Sequence, residues 1–295
     1  KRENSVYPIC NMRWANASIS SKDRYLTLFD LLPLTEIIYN FNIDYYDDSL
    51  ELKRAFDNVY KGTDVAPVTI EHLDKMDQFS RSAVLYFNDL KIRVMVIRGT
   101  IMGEEAFFNL NLYSFTQVLN IFDKFSPVLG LLPDKFVSKI VAWVDVSKFA
   151  NSGDPLSKQF DQAQLFKLKS LLNGDQFIIV GHSLGGLIAG TIGSRIGTPA
   201  LAVNPPRSKS LRERLQIKRH VNVYQSLTTI KLDKDPVSNV DSHLGSINML
   251  NCNFDPLSCH SPKAALCELY TICRDERNRT LNIDCSKKNF TPKRQ

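Results

Sequence analysis

The apolar positions of this chain fall into two kinds of run, and the change from one to the other marks its elements. Short, nearly continuous runs read as buried strands. Ser82–Phe87 and Lys91–Ile97 form a pair joined through Asn88 and Asp89, a hairpin signal, and Phe177–Val180 is apolar and largely β-branched. Ala200–Asn204 and His220–Tyr224 read as further short strands. Apolar residues recur at helical spacing in Tyr25–Tyr39, which Pro33 interrupts, in Leu50–Tyr60 and in Phe160–Leu172. A run of small residues from Gly186 to Gly193 predicts a closely packed helix. Strands alternating with helices imply an α/β fold with a mainly parallel central sheet covered by helices on both faces. At 295 residues and 43% hydrophobic, the chain can bury one large core, so residues 1–295 are expected to form a single domain. Within it, 1–60 reads as a helical N-terminal segment and 250–295 as an irregular, cysteine-rich tail that wraps the outside.

The strand at Phe177–Val180 runs directly into Gly181, Ser183 and Gly185, and the small-residue helix follows. Strand, tight turn and helix are the setting in which a Gly-x-Ser-x-Gly is a nucleophile elbow. The turn forces the serine into strained geometry, and flanking glycines keep its surroundings free of side chains. The helix that starts there aims N–H groups at charge that develops during acyl transfer.

A serine hydroxyl needs a base, and the base needs a carboxylate to hold its tautomer. In an elbow fold the order along the chain is serine, acid, histidine. Of five histidines, His72 precedes the serine, His182 sits inside the elbow, and His220 opens a strand-like run. His243 and His260 remain for the base. Asp233, Asp235 and Asp241 are available for the acid; Asp235, followed by Pro236, marks a loop leaving the sheet, with Asp233 as the alternative.

Composition narrows the setting. The formal charge of +6 comes in short groups such as Arg207–Arg214 and Lys293–Gln295, with no nucleic-acid motif, so nucleic acid is not an expected partner. The long uncharged runs at Ala106–Phe122 and Gln176–Ser194 carry polar residues and glycines and do not read as membrane spans. Six cysteines, Cys10, Cys252, Cys259, Cys267, Cys273 and Cys285, suggest disulfides, and their spacing fits no zinc pattern. Sequons at Asn16, Asn278 and Asn289 are glycosylation candidates. The chain starts at Lys1-Arg2-Glu3, as a processed protein would. A secreted or lumenal protein is expected, a vacuole-like or lysosome-like compartment included, with no cofactor and no metal. Neither the disulfide connectivity nor the oligomeric state follows from the sequence.

Four passages resemble the class 3 lipase family of fungal-lipase-like α/β hydrolases over roughly residues 60 to 265. They are Val96–Thr100, Gly181–Gly186, Ala202–Pro206 and Lys234–Ser238, in the family's order. The resemblance implies that Thr100 and the N–H of Leu184 form the oxyanion hole, that Arg98 holds the turn, and that Asp235 is the acid. His260-Ser261 is similar to the pair that bears the base in several branches, and Cys259 beside it is placed to pin that loop. His243 has echoes too, but lies close after Asp235 in sequence, which leaves little chain to cross to the serine.

In such a family a lid follows the oxyanion turn, and residues 101–145 are expected to supply it, with Phe107, Phe108, Leu110, Leu112, Tyr113 and Phe115 among its apolar members. The expected activity is hydrolysis of a long-chain acyl ester, a glyceride or a phospholipid, through an acyl-Ser183 intermediate and with transient contact to a lipid interface. The alternatives are an esterase or peptidase acting on soluble substrates, and a catalytically silent lipid-binding protein on the same fold.

Overall fold

In the computed structural model, the residues described are 8–16, 25–39, 48–74, 82–99, 155–277 and Cys285, apart from 62, 66, 207–211, 213–214, 219–220, 236, 240–242 and 276. The expected lid at 101–145, the residue Thr100 and the sequons at Asn278 and Asn289 lie outside them.

The described strands form one sheet in strict sequence order: β1 (Val68–Asp74), β2 (Ser82–Phe87), β3 (Ile92–Ile97), β4 (Gln176–His182), β5 (Ala200–Val203), β6 (Leu227–Leu232) and β7 (Ser246–Leu250). The first three pair antiparallel and the rest parallel. The β2–β3 hairpin turns through Asn88–Lys91, where Lys91 adopts φ 52°. This is an α/β-hydrolase fold, mainly parallel and covered on both faces.

Sequential order decides which chain covers which face. Right-handed crossovers between adjacent parallel strands all fall on the same side of a sheet. That side carries α3 (Pro155–Asn173), leading into β4, and α4 (Leu184–Ile196), leading out of it; Ala163, Phe166, Leu187, Ile188 and Ile192 pack there on Met95, Ile97 and Ile179. The opposite face has to be covered by chain from outside the crossover series. It is covered by α1 (Leu28–Ile37) and α2 (Asp48–Tyr60) from the N-terminal segment and by the C-terminal tail, packed on Val94, Val96, Ile178, Val180, Leu201 and Ile230. Every residue of α1 from Leu28 to Thr35 is buried, Asp30 included, and Arg277 donates to the Asp30 carboxylate at 2.8 Å.

Three expectations need correction. The described part of the tail is not irregular throughout: Pro262–Cys273 is a helix with Ser261 as its N-cap, the Ser261 hydroxyl oxygen accepting from the Ala264 N–H at 3.0 Å. Val223–Ser226 is a short helix (α5) rather than strand, because the Asn222 side chain accepts from the Tyr224 N–H at 3.2 Å and closes a turn; strand begins only at Leu227. Asn16 is not an exposed glycan acceptor. Its Nδ2 donates to the carbonyls of Lys91 and Gly174 at 2.9 and 3.0 Å, and the residue is 7% exposed.

Six cysteines make three disulfides: Cys10–Cys273, Cys252–Cys259 and Cys267–Cys285. The first ties the N-terminal segment to the tail. The helix Pro256–Cys259 is α6, and Pro262–Cys273 is α7.

Candidate active site

Strand β4 ends at His182, and α4 begins at Leu184. Ser183 alone makes the turn, at φ 55° and ψ −129°, a conformation a non-glycine residue holds only when its neighbours impose it. The imposition is visible on both sides. The Ser183 N–H donates to the Val203 carbonyl at 2.9 Å, and the Leu187 N–H donates back to the Ser183 carbonyl at 3.1 Å. The turn also brings backbones too close for side chains: a Cβ on Gly181 would lie 2.2 Å from the Gly185 carbonyl oxygen, and one on Gly185 would lie 2.3 Å from that of Ile97.

Asp235 follows β6, and His260 sits between α6 and α7. The structure brings both to Ser183. The His260 Nδ1 lies 2.9 and 3.0 Å from the two carboxylate oxygens of Asp235, and its Nε2 lies 2.9 Å from the Ser183 Oγ. A carboxylate only accepts, so Nδ1 carries the ring proton and Nε2 presents its lone pair to the serine hydroxyl. Asp235 is fully buried and also accepts the Val237 N–H at 2.8 Å, which fixes the carboxylate plane. Ser183 and His260 are 7% and 5% exposed, so the line touches solvent at its serine end and not at its acid. Such an arrangement can take a proton from Ser183 and return it to a leaving group.

The other candidates are engaged elsewhere. His243 has its Nε2 2.6 Å from the Ser238 carbonyl oxygen, to which it donates. Asp233 accepts the Cys252 N–H at 2.7 Å. His72 packs against Phe166. Leu184, as the first residue of α4, has an N–H that the helix itself cannot satisfy, which is what an oxyanion donor requires. Arg98 is buried with its guanidinium 5.7 Å from the Tyr39 ring centroid.

Two polar residues to which the sequence assigned no role hold the His260 segment. Asn204, at φ 44° after β5, donates from Nδ2 to the Cys259 carbonyl at 3.0 Å and accepts the Leu232 N–H on Oδ1 at 3.0 Å. It thereby ties the His260 segment to the strand that leads to Asp235. The signal was an asparagine before Pro205-Pro206, a residue type that tolerates the left-handed region. His182 has its Nε2 2.6 Å from the His260 carbonyl oxygen. Burial, and then the neighbouring His260, push the His182 imidazole well below the usual histidine range, so it is neutral. No group of acidic, histidine or cysteine side chains among the described residues is arranged to hold a metal ion.

No family model and no curated protein matches the chain. Solved structures with a similar arrangement include a mutant of MDLA from Penicillium cyclopium, at 11% identity and TM-score 0.42, covering 77% of this chain and 79% of that one. The mono- and diacylglycerol lipase of Aspergillus oryzae is similar at 15% identity and TM-score 0.39, covering 77% and 78%. Lip2 lipase of Yarrowia lipolytica is similar at 13% identity and TM-score 0.39, covering 77% of each chain. Likeness this distant decides nothing about activity, and the chain's chemistry rests on its own residues.

Proposed function

We propose that this protein is a serine hydrolase that cleaves a carboxylic ester of a long-chain acyl lipid. The observation that carries the reading is the continuous buried line from Ser183 through His260 to Asp235, set at a strained turn under the N-terminus of α4. In the first half-reaction the Ser183 Oγ attacks the ester carbonyl carbon while His260 Nε2 takes its proton. Asp235 keeps the imidazole in the right tautomer and stabilises the imidazolium. The Leu184 N–H, with Thr100 as the expected second donor, stabilises the negative charge on the carbonyl oxygen. The proton then passes from His260 to the departing alkoxide, which leaves as the alcohol. In the second half, water loses a proton to His260 and attacks the acyl-serine, releasing the acid and restoring Ser183.

The lipid character of the substrate rests on the apolar sequence after the oxyanion turn, and the secreted or lumenal setting on the disulfides. Among the described residues no helix is long and apolar enough to cross a membrane. A fluorophosphonate should label the wild type and not Ser183→Ala. Absence of Ser183-dependent labelling in the folded protein would sink the enzyme reading in favour of a silent lipid-binding fold. Long-chain emulsions should be turned over faster than short soluble esters. The reverse ranking would make it a soluble-substrate esterase.

A further inference from the structure

Beside the Ser183–His260–Asp235 line lies a second chain of polar groups, half-buried at Tyr39 and buried at His182, that the proposed hydrolysis does not use. It runs from Gly99, in the turn after β3, through Tyr39, beyond the end of α1, to His182 and the backbone of His260. The Gly99 N–H donates to the Tyr39 phenol oxygen. The Tyr39 hydroxyl lies 2.9 Å from His182 Nδ1, and His182 Nε2 lies 2.6 Å from the His260 carbonyl oxygen. A carbonyl only accepts, so the His182 ring proton is on Nε2 and Nδ1 accepts. The phenol then has one use for its proton, donation to Nδ1, since the alternative acceptor, the His182 carbonyl, is farther away at 3.5 Å. Every hydrogen bond in the chain therefore has a fixed direction. Burial holds the Tyr39 phenol far above the usual tyrosine range, which keeps that proton in place.

The chain joins the end of α1, the turn after β3 and the end of β4. A Cβ at position 99 would lie 2.4 Å from the Tyr39 hydroxyl and 2.5 Å from the His182 carbonyl oxygen, so the approach of these three segments requires glycine. The Tyr39 and His182 rings meet edge to face at 5.3 Å, and those of His182 and His260 lie 5.1 Å apart. Neutrality of His182 matters at that distance, because a second imidazolium would repel the charge that His260 acquires in each half-reaction.

Resting on the reading of Ser183 as a nucleophile, we infer that Tyr39 and His182 are positioning residues. They hold the backbone of the base in register with the serine and couple it to the turn at Gly99. Neither touches substrate. Both act by keeping His260 Nε2 at hydrogen-bonding distance from Ser183, where small displacements are costly.

The test measures the rate of fluorophosphonate labelling at Ser183, with kcat and KM on a short soluble ester, in four proteins. Relative to wild type, Tyr39→Phe, which removes one oxygen, should slow labelling and kcat roughly tenfold with KM unchanged. His182→Leu should slow both by roughly 10²-fold. His182→Gln, whose side-chain amide can still donate to the His260 carbonyl, should recover most of that loss. Labelling of Tyr39→Phe and His182→Leu at the wild-type rate would overturn the inference while leaving the hydrolase reading intact. A glutamine variant no better than leucine would overturn it too, since rescue is what a merely space-filling role does not produce. If His182→Leu does not fold, Tyr39→Phe decides alone. A wild type that is not labelled at all sinks the hydrolase reading and this inference with it.

Discussion

The two faces of the sheet are covered in different ways. On the crossover face, α3 and α4 are local in sequence to the strands they join, and the cover is thin: Leu165, Leu168, Leu171 and Leu172 on α3 are all more than half exposed. On the other face, α1, α2 and α7 come from the two ends of the chain. They are deeply packed and are tied together by Cys10–Cys273 and by Arg277, which bonds Asp30 and the Tyr25 carbonyl. Chemistry is divided in the same way. The crossover series supplies Ser183, its helix and His182, whereas the terminal face supplies the proposed base, His260, and Tyr39. The geometry at Ser183 thus depends on chain far from the elbow, and under the proposed function substitutions on the two faces should behave differently.

The largest expected effect is at the point where the faces meet. His260→Ala should lower turnover by roughly 10⁴-fold, while His243→Ala, whose ring serves the Ser238 carbonyl, should change it by no more than a few-fold in a protein of retained fold. Equal losses in the two variants would break the division.

Next come the disulfides. Removing Cys10–Cys273, which closes a span of 263 residues, should cost about 5 to 6 kcal/mol in the chain-entropy picture. Removing Cys252–Cys259, with a separation of 7, should cost about 2 kcal/mol yet slow Ser183 labelling more, because Cys259 adjoins the base. Chemical denaturation and labelling rates of the paired serine variants would show this crossing of effects, and parallel losses would refute it.

A smaller effect separates the two cores. Leu34→Ala and Ile192→Ala each remove a fully buried aliphatic side chain and should each cost about 2 to 5 kcal/mol. Only Leu34→Ala, near the end of α1 that leads to Tyr39, should also lower kcat below the melting transition. The smallest effect lies away from both. Burial alone would raise the Glu71 carboxyl, but hydrogen bonds from Arg93 and Lys169 hold it below the usual carboxylate range. A depressed folded value contributes stability above the unfolded value near pH 4.3 that is lost as pH falls through the folded one. Glu71→Gln should therefore flatten the acid side of the stability curve, by about 1 kcal/mol or less, and leave labelling unchanged.

Much of this architecture was legible where the cause is local. The β2–β3 hairpin follows from its apolar runs and turn residues, and α1 and α2 from their spacing. The legible parts end where a cap or a distant partner intervenes. Asn222 turns an alternating run into a helix, and Ser261-Pro262 starts one inside a tail that its cysteines made look irregular. Asn16 satisfies its sequon, but two carbonyls from distant turns claim its amide nitrogen.

By itself the sequence determined Ser183, because a nucleophile elbow needs only a strand, a helix and glycines within a few residues, all of them neighbours along the chain. It also narrowed the acid to a loop and the base to two histidines. Only the tertiary structure put His260 rather than His243 beside Ser183, paired the cysteines and brought Tyr39 to His182. Those contacts join segments up to 263 residues apart, and their geometry arises from packing both ends of the chain on one face of the sheet.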